Sequence, residues 1–326
     1  MIRFAVNRFV QMVVIVFIIS VIAFIIIQLP PGDFVDNYVS TVSGGETLTP
    51  ETVEALRLQF GLDEPITSQY FRWMLNVARG NFGLSFQHQR TVADLLAERL
   101  PTTLAITIPT TILVYLLAVP IGIYTALHQY SILDYVFSFV GFVGVAVPNF
   151  LFAIILIYIG STYFGANVGG LFSPQYELAP WSVGKVLDLI SNLWIPVIVV
   201  GTAGTAGTIR VMRGMLLDEL NQPYVETARS KGLSETRLIL KYPVRIALSP
   251  VLSTLGFTLP ALISGQAIVS IVLNLPTTGP LLLNALLSQD MFLAGSIILV
   301  LSVLTVVGTF ISDLLLVWAD PRIRLG

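Results

Sequence analysis

Cysteine is absent from the 326 residues, and histidine occurs only twice, at His88 and His128. Without cysteine the chain has no disulfide framework, no zinc–thiolate site and no cysteine nucleophile. Charged residues are scarce at 11%, whereas an average soluble protein has about 25%. Hydrophobic residues make up 55% of the chain, so too little charge remains to cover the surface of a soluble protein. These shortages exclude thiol chemistry and favour a membrane protein.

Long apolar runs, in contrast, are abundant. A transmembrane helix needs about 20 mostly apolar residues to cross roughly 30 Å of hydrocarbon. Five or six such runs with so little charge are not expected of buried helices in a soluble protein. The six predicted spans cover residues 9–28, 103–127, 136–160, 192–211, 250–273 and 292–318.

The Lys and Arg residues predict the orientation of these spans. Arg3 and Arg8 precede the first run as in a signal peptide, but the run has full spanning length and no cleavage site follows it, so we interpret it as an uncleaved span. With both termini in the cytoplasm, eleven of the 17 Lys and Arg residues fall in the inner segments. An excess of basic residues inside is the usual pattern. We therefore predict an all-α membrane protein with six transmembrane helices and cytoplasmic termini.

The outer segment between the first two spans, residues 30–102, is too long for a simple loop. Capping residues predict three short helices in it, over 49–61, 68–79 and from 91 toward Pro101. The predicted organisation is the N-terminus and first span in 1–29, a small helical extracytoplasmic cap in 30–102, and a five-helix membrane core in 103–326.

Two further outer segments differ from each other. Residues 161–190 are rich in glycine, proline and aromatic residues, which favours irregular structure. Residues 274–291 include an amphipathic stretch over 281–287.

The inner segment 212–249 contains more structure than an orientation signal requires. Gly232 can adopt a positive φ and end one short helix, and Ser234 can cap the next. The second helix would carry Leu238, Ile239 and Tyr242 on one side. We predict two short helices that meet at a glycine corner in the cytoplasm, a shape suited to a groove on a partner.

Motifs for autonomous chemistry are missing. The only Gly-Lys pair, Gly184-Lys185, lacks the other residues of a phosphate-binding loop, and no metal-binding histidine pair occurs. Asp313, at the inner end of the sixth span within reach of water or Arg210, is the one candidate for a proton relay. We interpret Asp313 as a structural acid, so the spans form a pathway without an energy source of its own.

Polar residues inside the spans have two interpretations. They could line a passage, or they could hydrogen-bond one helix to another, which is common in membranes. The candidates are Thr107, Thr111, Asn149, Thr205, Ser264 and Gln266.

The inner segment resembles a known signature. Glu226-Thr227-Ala228, then three residues and Gly232, is similar to the E-A-A-x-x-x-G signature of ABC-importer permeases. The wider run resembles the peptide/opine/nickel branch of that family. Motifs similar to those of this branch occur in order along nearly the whole chain: Pro31-Gly32-Asp33, Gly61-Leu62-Asp63, Arg79-Gly80-Asn81-Phe82-Gly83 and Asp320-Pro321-Arg322.

The chain departs from the family pattern at three places. The general signature continues to I-x-L-P, whereas Tyr242, Val244 and Arg245 stand here. Thr227 replaces the first alanine, and Asn81 stands where an acid is usual.

The resemblance implies a type I importer permease in a bacterial inner membrane. It implies a homologous second permease subunit, two cytoplasmic ABC ATPases that bind the inner segment, an extracytoplasmic substrate-binding protein and the lipid bilayer as partners, and no nucleic acid. ATP and Mg would be bound by the ATPases, so this chain is expected to be no enzyme and to hold no cofactor or metal. The coupling residues that it implies are Tyr224, Glu226, Thr227, Ala228, Arg229, Lys231, Gly232, Leu233 and Ser234.

The substrate and the transport class have alternatives. Di- or oligopeptides are the expected substrate, and oligosaccharides, opines or nickel are the alternatives within the same branch. The scarcity of histidine and the absence of cysteine give no support to nickel. An autonomous channel or ion-coupled carrier is the alternative from another class. An intramembrane serine protease at Ser264 would lack a histidine nearby.

Overall fold

The computed structural model of the chain describes residues 2–28, 54–55, 58, 64–85, 87–164, 169–177, 179–180 and 182–319. Helices dominate this part of the chain, and one two-stranded antiparallel hairpin accompanies them. The elements in chain order are α1 (Ile2–Gln28), α2 (Ile66–Ala78), β1 (Leu84–Ser85), β2 (Arg90–Thr91), α3 (Val92–Leu127), α4 (Ile132–Ala146), α5 (Asn149–Phe164), α6 (Pro174–Glu177), α7 (Val183–Leu220), α8 (Pro223–Ser230), α9 (Glu235–Lys241), α10 (Pro243–Val272), α11 (Thr278–Leu287) and α12 (Met291–Ala319).

The all-α membrane fold is confirmed. Among the described residues, five helices are long and apolar enough to cross a membrane, or six when α4 and α5 count as one span. Apolar side chains on several of these helices face outward, as expected where lipid replaces water as the solvent.

The segment predicted as the third span, residues 136–160, forms two helices. α4 ends at Ala146, α5 begins at Asn149, and the two helices are bent by 104°. Pro148 lacks a backbone N–H and disfavours the helical conformation of the residue before it. Val147 accordingly has an extended backbone, with φ −86° and ψ 120°. This proline therefore divides residues 136–160 into two helices, which together can still count as one span.

Helix α3 extends beyond its predicted limit. The helix expected to begin near Thr91 does so, and the Thr91 hydroxyl accepts a bond from the Asp94 N–H at 3.1 Å. It does not end at Pro101 but continues as the second span to Leu127. Prolines are tolerated in membrane helices where neighbouring groups satisfy the freed carbonyl.

α7 begins at Val183, inside the outer segment predicted to be irregular. Ser182 caps it, since its hydroxyl accepts a bond from the Lys185 N–H at 3.2 Å. The buried Lys185 ammonium then donates to the Ala179 carbonyl at 2.7 Å, which holds the preceding segment against the helix. The expectation of irregular structure was therefore wrong from Val183 onward.

The chain forms two compact units. The first comprises Met1–Phe9, Thr103–Pro276 and Val307–Gly326, and the second comprises Val10–Thr102 and Thr277–Val306. In the first unit α3, α5, α7 and α10 share a buried apolar cluster that includes Ile106, Ala153, Val199, Val200, Leu262 and Val269.

The second unit contains the whole described part of the predicted cap. α2 matches the helix predicted over 68–79, and Gly80 follows it with φ +80°. Strand β1 pairs with β2 in register Leu84↔Thr91. α11 covers the amphipathic stretch noted over 281–287. The helix predicted over 49–61 lies almost wholly outside the described residues, as do the motifs at 31–33, 61–63 and 320–322.

Candidate coupling site

Helix α8 and the glycine after it form the first half of the predicted corner. Pro223 occupies the first helical position, where its missing N–H costs nothing. The helix ends at Ser230, and Gly232 follows with φ +75°. A Cβ added to Gly232 would meet nothing within 4 Å. Glycine is therefore required by the backbone conformation and not by a lack of space.

Helix α9 forms the second half of the corner. Ser234 occupies its N-cap position with an extended backbone, but its side chain makes no capping bond. Across the corner, the Arg229 guanidinium donates two hydrogen bonds to the Glu235 carboxylate, at 2.5 and 3.2 Å. Both side chains are more than half exposed, so water screens most of this attraction.

An apolar cluster holds α8 against α9. Val225, Ala228 and Leu238 are buried in it. Tyr224, Leu233, Ile239 and Tyr242 pack around these three residues. Leu238, Ile239 and Tyr242 thus share one face, as their spacing predicts. The folded pair α8–α9 is stabilised mainly by this burial, because exposed ion pairs contribute little.

The predicted coupling residues divide into two groups by exposure. Ala228 is buried and Tyr224 and Leu233 are partly buried, so these three hold the corner together. The remaining six are exposed: Gly232, which has no side chain, and the charged or hydroxyl-bearing Glu226, Thr227, Arg229, Lys231 and Ser234.

Tyr224 also ties α8 to the end of α7. Its hydroxyl donates to the Glu219 carboxylate. Partial burial, this hydrogen bond and the negative charge of Glu219 all raise the pKa of the Tyr224 hydroxyl above its usual value.

A second cluster connects the corner to the long helices of the first unit. Met212 and Leu216 of α7 are buried against Val244, Ala247 and Val251 of α10 and Ala126 of α3. Ile239 of α9 packs on this cluster and also on the one inside the corner. A Cβ added to Gly122 would lie 2.7 Å from Met212 Cβ, so α3 and α7 approach closely here. The corner therefore packs, through Ile239, on a cluster shared by three long helices.

The structure brings together some of the predicted pathway residues and separates others. Thr107 and Gln266 are buried, and the Gln266 amide donates to the Thr107 hydroxyl at 3.1 Å, which joins α3 to α10. The Thr111 hydroxyl donates to the Thr107 carbonyl at 2.8 Å. Asn149 and Thr205 are partly buried on α5 and α7. Ser264 lies on α10, but its side chain is outside the described residues.

Asp313 has a different partner from the one considered. Its carboxylate lies 3.3 Å from Arg8 Nε, because α1 brings its basic N-terminus to the end of α12. Arg210 instead lies over the Phe142 ring, 5.2 Å from its centroid. Of the two groups considered, water can reach the partly exposed Asp313 side chain, whereas Arg210 packs on Phe142. Among the described residues no cluster of His, Asp and Glu could hold a metal ion.

Sequence reasoning missed a buried ion pair near the corner. Asp134, in the first turn of α4, is 3% exposed and accepts a bond from Arg213 Nη2 of α7 at 3.2 Å. A charged residue within the apolar first turn of a membrane helix was the signal that could have revealed it.

Comparison with known proteins identifies the family. The binding-protein-dependent transport system inner membrane component family matches residues 118–325. The N-terminal family of the same transport components matches residues 1–107. The chain belongs to this family. It is a permease component of a binding-protein-dependent transport system in the inner membrane.

Curated relatives match the chain over almost its whole length. It is 34% identical to the oligopeptide transport system permease protein AppB of Bacillus subtilis, over 94% of both chains. It is 31% identical to the oligopeptide transport system permease protein OppB of Haemophilus influenzae, over 99% of this chain and 100% of the relative. OppB of Escherichia coli K12 is 30% identical over the same shares. These matches confirm the family resemblance inferred from the glycine corner and its accompanying motifs.

Proposed function

We propose that the chain forms half of the translocation pathway of an ATP-driven peptide importer. A homologous second permease would form the other half, two ABC ATPases would bind the exposed face of α8–α9, and an extracytoplasmic binding protein would deliver the substrate. The observation that carries the proposal is the corner itself: exposed polar groups on one side, and on the other an apolar cluster continuous with α3, α7 and α10. The relatives' names support peptides as the substrate class.

The corner suits the role of a lever, by which we mean a rigid part that converts closure of the ATPases into displacement of the spans. Shifting a two-state equilibrium from 1:99 to 99:1 requires about 5.5 kcal/mol of differential binding. A docked groove that contacts several exposed residues at once can supply this, whereas a single exposed salt bridge cannot. The chain does not hydrolyse ATP in this scheme; ATP and Mg are bound by the ATPases, and this chain converts their closure into displacement of its spans.

Replacing Gly232 with valine tests the lever. A β-branched residue is strained at φ +75°, so Gly232→Val should open the corner and abolish ATP-dependent uptake of a labelled oligopeptide in proteoliposomes containing the whole transporter. Gly232→Asn should retain uptake, because asparagine tolerates this conformation. Gly214→Val is the matched control, since a Cβ there also meets nothing within 4 Å but Gly214 lies inside helix α7. Parental uptake by Gly232→Val would refute the lever.

Two further arms of the same assay address the alternatives. Competition by unlabelled peptide, oligosaccharide, opine or nickel identifies the substrate class, and we expect only peptide to compete. Liposomes that contain this chain without ATPases should show no flux. Flux from the chain alone would favour an autonomous channel or carrier.

A further inference from the structure

Among the described residues, helix α4 has a limited set of contacts. It packs chiefly against α7, and its remaining surface is apolar and exposed, including Ile132 and Phe139. Its other end leads into the 104° bend before α5. The position of this half of the third span therefore depends on how α4 is attached to α7.

The two helices run antiparallel, and contacts of two kinds join them. At one end their backbones approach closely, since a Cβ added to Gly144 would lie 3.1 Å from Thr202 Cγ2 and one added to Gly141 would lie 4.0 Å from Ala206 Cβ. Small residues allow this approach in membrane helices, but apolar contact of this kind is not directional.

The other end of the contact is polar and directional. The Asp134 carboxylate accepts bonds from Arg213 Nη2 at 3.2 Å, from the Tyr130 N–H at 3.0 Å and from the Ser138 hydroxyl at 3.4 Å. The Asp134 N–H in turn donates to the Ser131 hydroxyl at 3.2 Å. One buried side chain thus fixes the loop before α4, the first turn of α4 and a single point on α7.

Arg213 lies on α7 between the corner and the small-residue contacts with α4. Arg213 follows Met212, which is fully buried in the cluster that connects the corner to the long helices. Arg213 is seven residues from the end of α7 at Leu220, or about 10 Å along the helix axis. A displacement of the corner reaches Arg213 before it reaches the small-residue contacts at Ala206 and Thr202.

We propose that Asp134 is a positioning residue for transport: through Arg213 it ties α4 to α7, so that both helices move as one body when the corner is displaced. The inference rests on the proposed function, because the displacement originates in the ATPases. Without the tie, the ATPases still dock and hydrolyse ATP, but α4 no longer follows α7, and hydrolysis becomes uncoupled from uptake.

The first test compares peptide uptake with ATP hydrolysis in proteoliposomes that contain the whole transporter. Peptide taken up per ATP hydrolysed should fall by about tenfold in Asp134→Asn and Arg213→Met, a usual size for the coupling between two sites. Arg213→Lys keeps the charge and should retain most of the parental ratio. A purely structural defect lowers both activities together and leaves the ratio unchanged, so an unchanged ratio in Asp134→Asn and Arg213→Met would overturn the proposal.

The second test replaces the ion pair with a covalent tie. The chain has no cysteine, and the 4.0 Å between the Gly141 and Ala206 Cβ positions suits a disulfide. In a chain that carries Asp134→Asn, Gly141→Cys and Ala206→Cys, oxidation should restore the amount of peptide taken up per ATP hydrolysed. Reduction of the disulfide should lower that ratio again. Gly141→Cys alone is the control and should respond to neither treatment.

The same two cysteines in the parental chain keep the test decisive if the Asp134 variants fail to insert. Oxidation should then leave uptake unchanged, because helices that move together tolerate a covalent tie. Loss of uptake on oxidation would show that α4 and α7 move relative to each other, and would overturn the proposal. A parental transporter without ATP-dependent uptake would overturn this inference together with the proposed function, whereas a normal ratio in Asp134→Asn would overturn this inference alone.

Discussion

One carboxylate lies at the corner between α8 and α9, and another contacts the hairpin β1–β2. The two carboxylates differ in burial. Glu235 at the corner is exposed and faces Arg229. Asp290 beside the hairpin is 1% exposed and accepts bonds from the Ser85 hydroxyl at 2.5 Å, the Gln87 N–H at 3.2 Å and the Leu293 N–H at 3.3 Å.

This difference indicates which kind of contact holds each region. A buried carboxylate that satisfies several donors is costly to remove, because each donor then loses its partner in a site that water does not reach. An exposed ion pair is largely replaced by water. The hairpin should therefore depend on its carboxylate, whereas the corner should depend on its apolar cluster.

Removing the buried carboxylate should have the largest effect. Asp290→Ala leaves the Ser85 hydroxyl and two backbone N–H groups without their acceptor, and we expect a loss of roughly 4 kcal/mol in the free energy of unfolding. Unfolding of the purified protein in detergent measures this loss. Ser288→Ala is the control from the same loop: its exposed hydroxyl donates to the Gln87 amide at 2.8 Å, and its loss should matter little. Equal stability of Asp290→Ala and the parental protein would refute the role of Asp290.

Truncating the apolar cluster of the corner should have the next largest effect. Leu238 is fully buried, and Leu238→Ala should lower the free energy of unfolding by about 3 kcal/mol through lost burial and a cavity. Leu240→Ala on the same helix is the matched control, because Leu240 is 58% exposed. If both variants were equally stable, the cluster would not be what holds the corner.

Local features could be predicted from the sequence, and distant pairings could not. The corner was predictable because Gly232 and Ser234 act on their own backbone, through a positive φ and an N-cap position. The continuation of the second span through Pro101 was not predictable, since tolerance of that proline depends on neighbouring groups.

The missed ion pair and the missed hairpin contact have the same cause. Arg213 and Asp134 are 79 residues apart in sequence, and Ser85 and Asp290 are 205 apart. No periodicity within a window of ordinary helix length relates such residues; only the packing of the helices brings them together. The size of the bend at Pro148 was not predictable for another reason, because a hydropathy average over the span length contains no information about direction.

Neutralising the exposed carboxylate of the corner should have the smallest effect. Glu235→Gln keeps the size of the side chain and one hydrogen-bond acceptor, and it removes only an attraction that water already screens. We expect Glu235→Gln to unfold at the same denaturant concentration as the parental protein. Glu98→Gln, which alters an exposed pair with Arg90 in the second unit, is the control and should behave in the same way. If Glu235→Gln were instead as unstable as Leu238→Ala, charge and not burial would hold α8 against α9. High salt would then weaken the parental corner as well, because mobile ions screen exposed charges and leave apolar contacts intact.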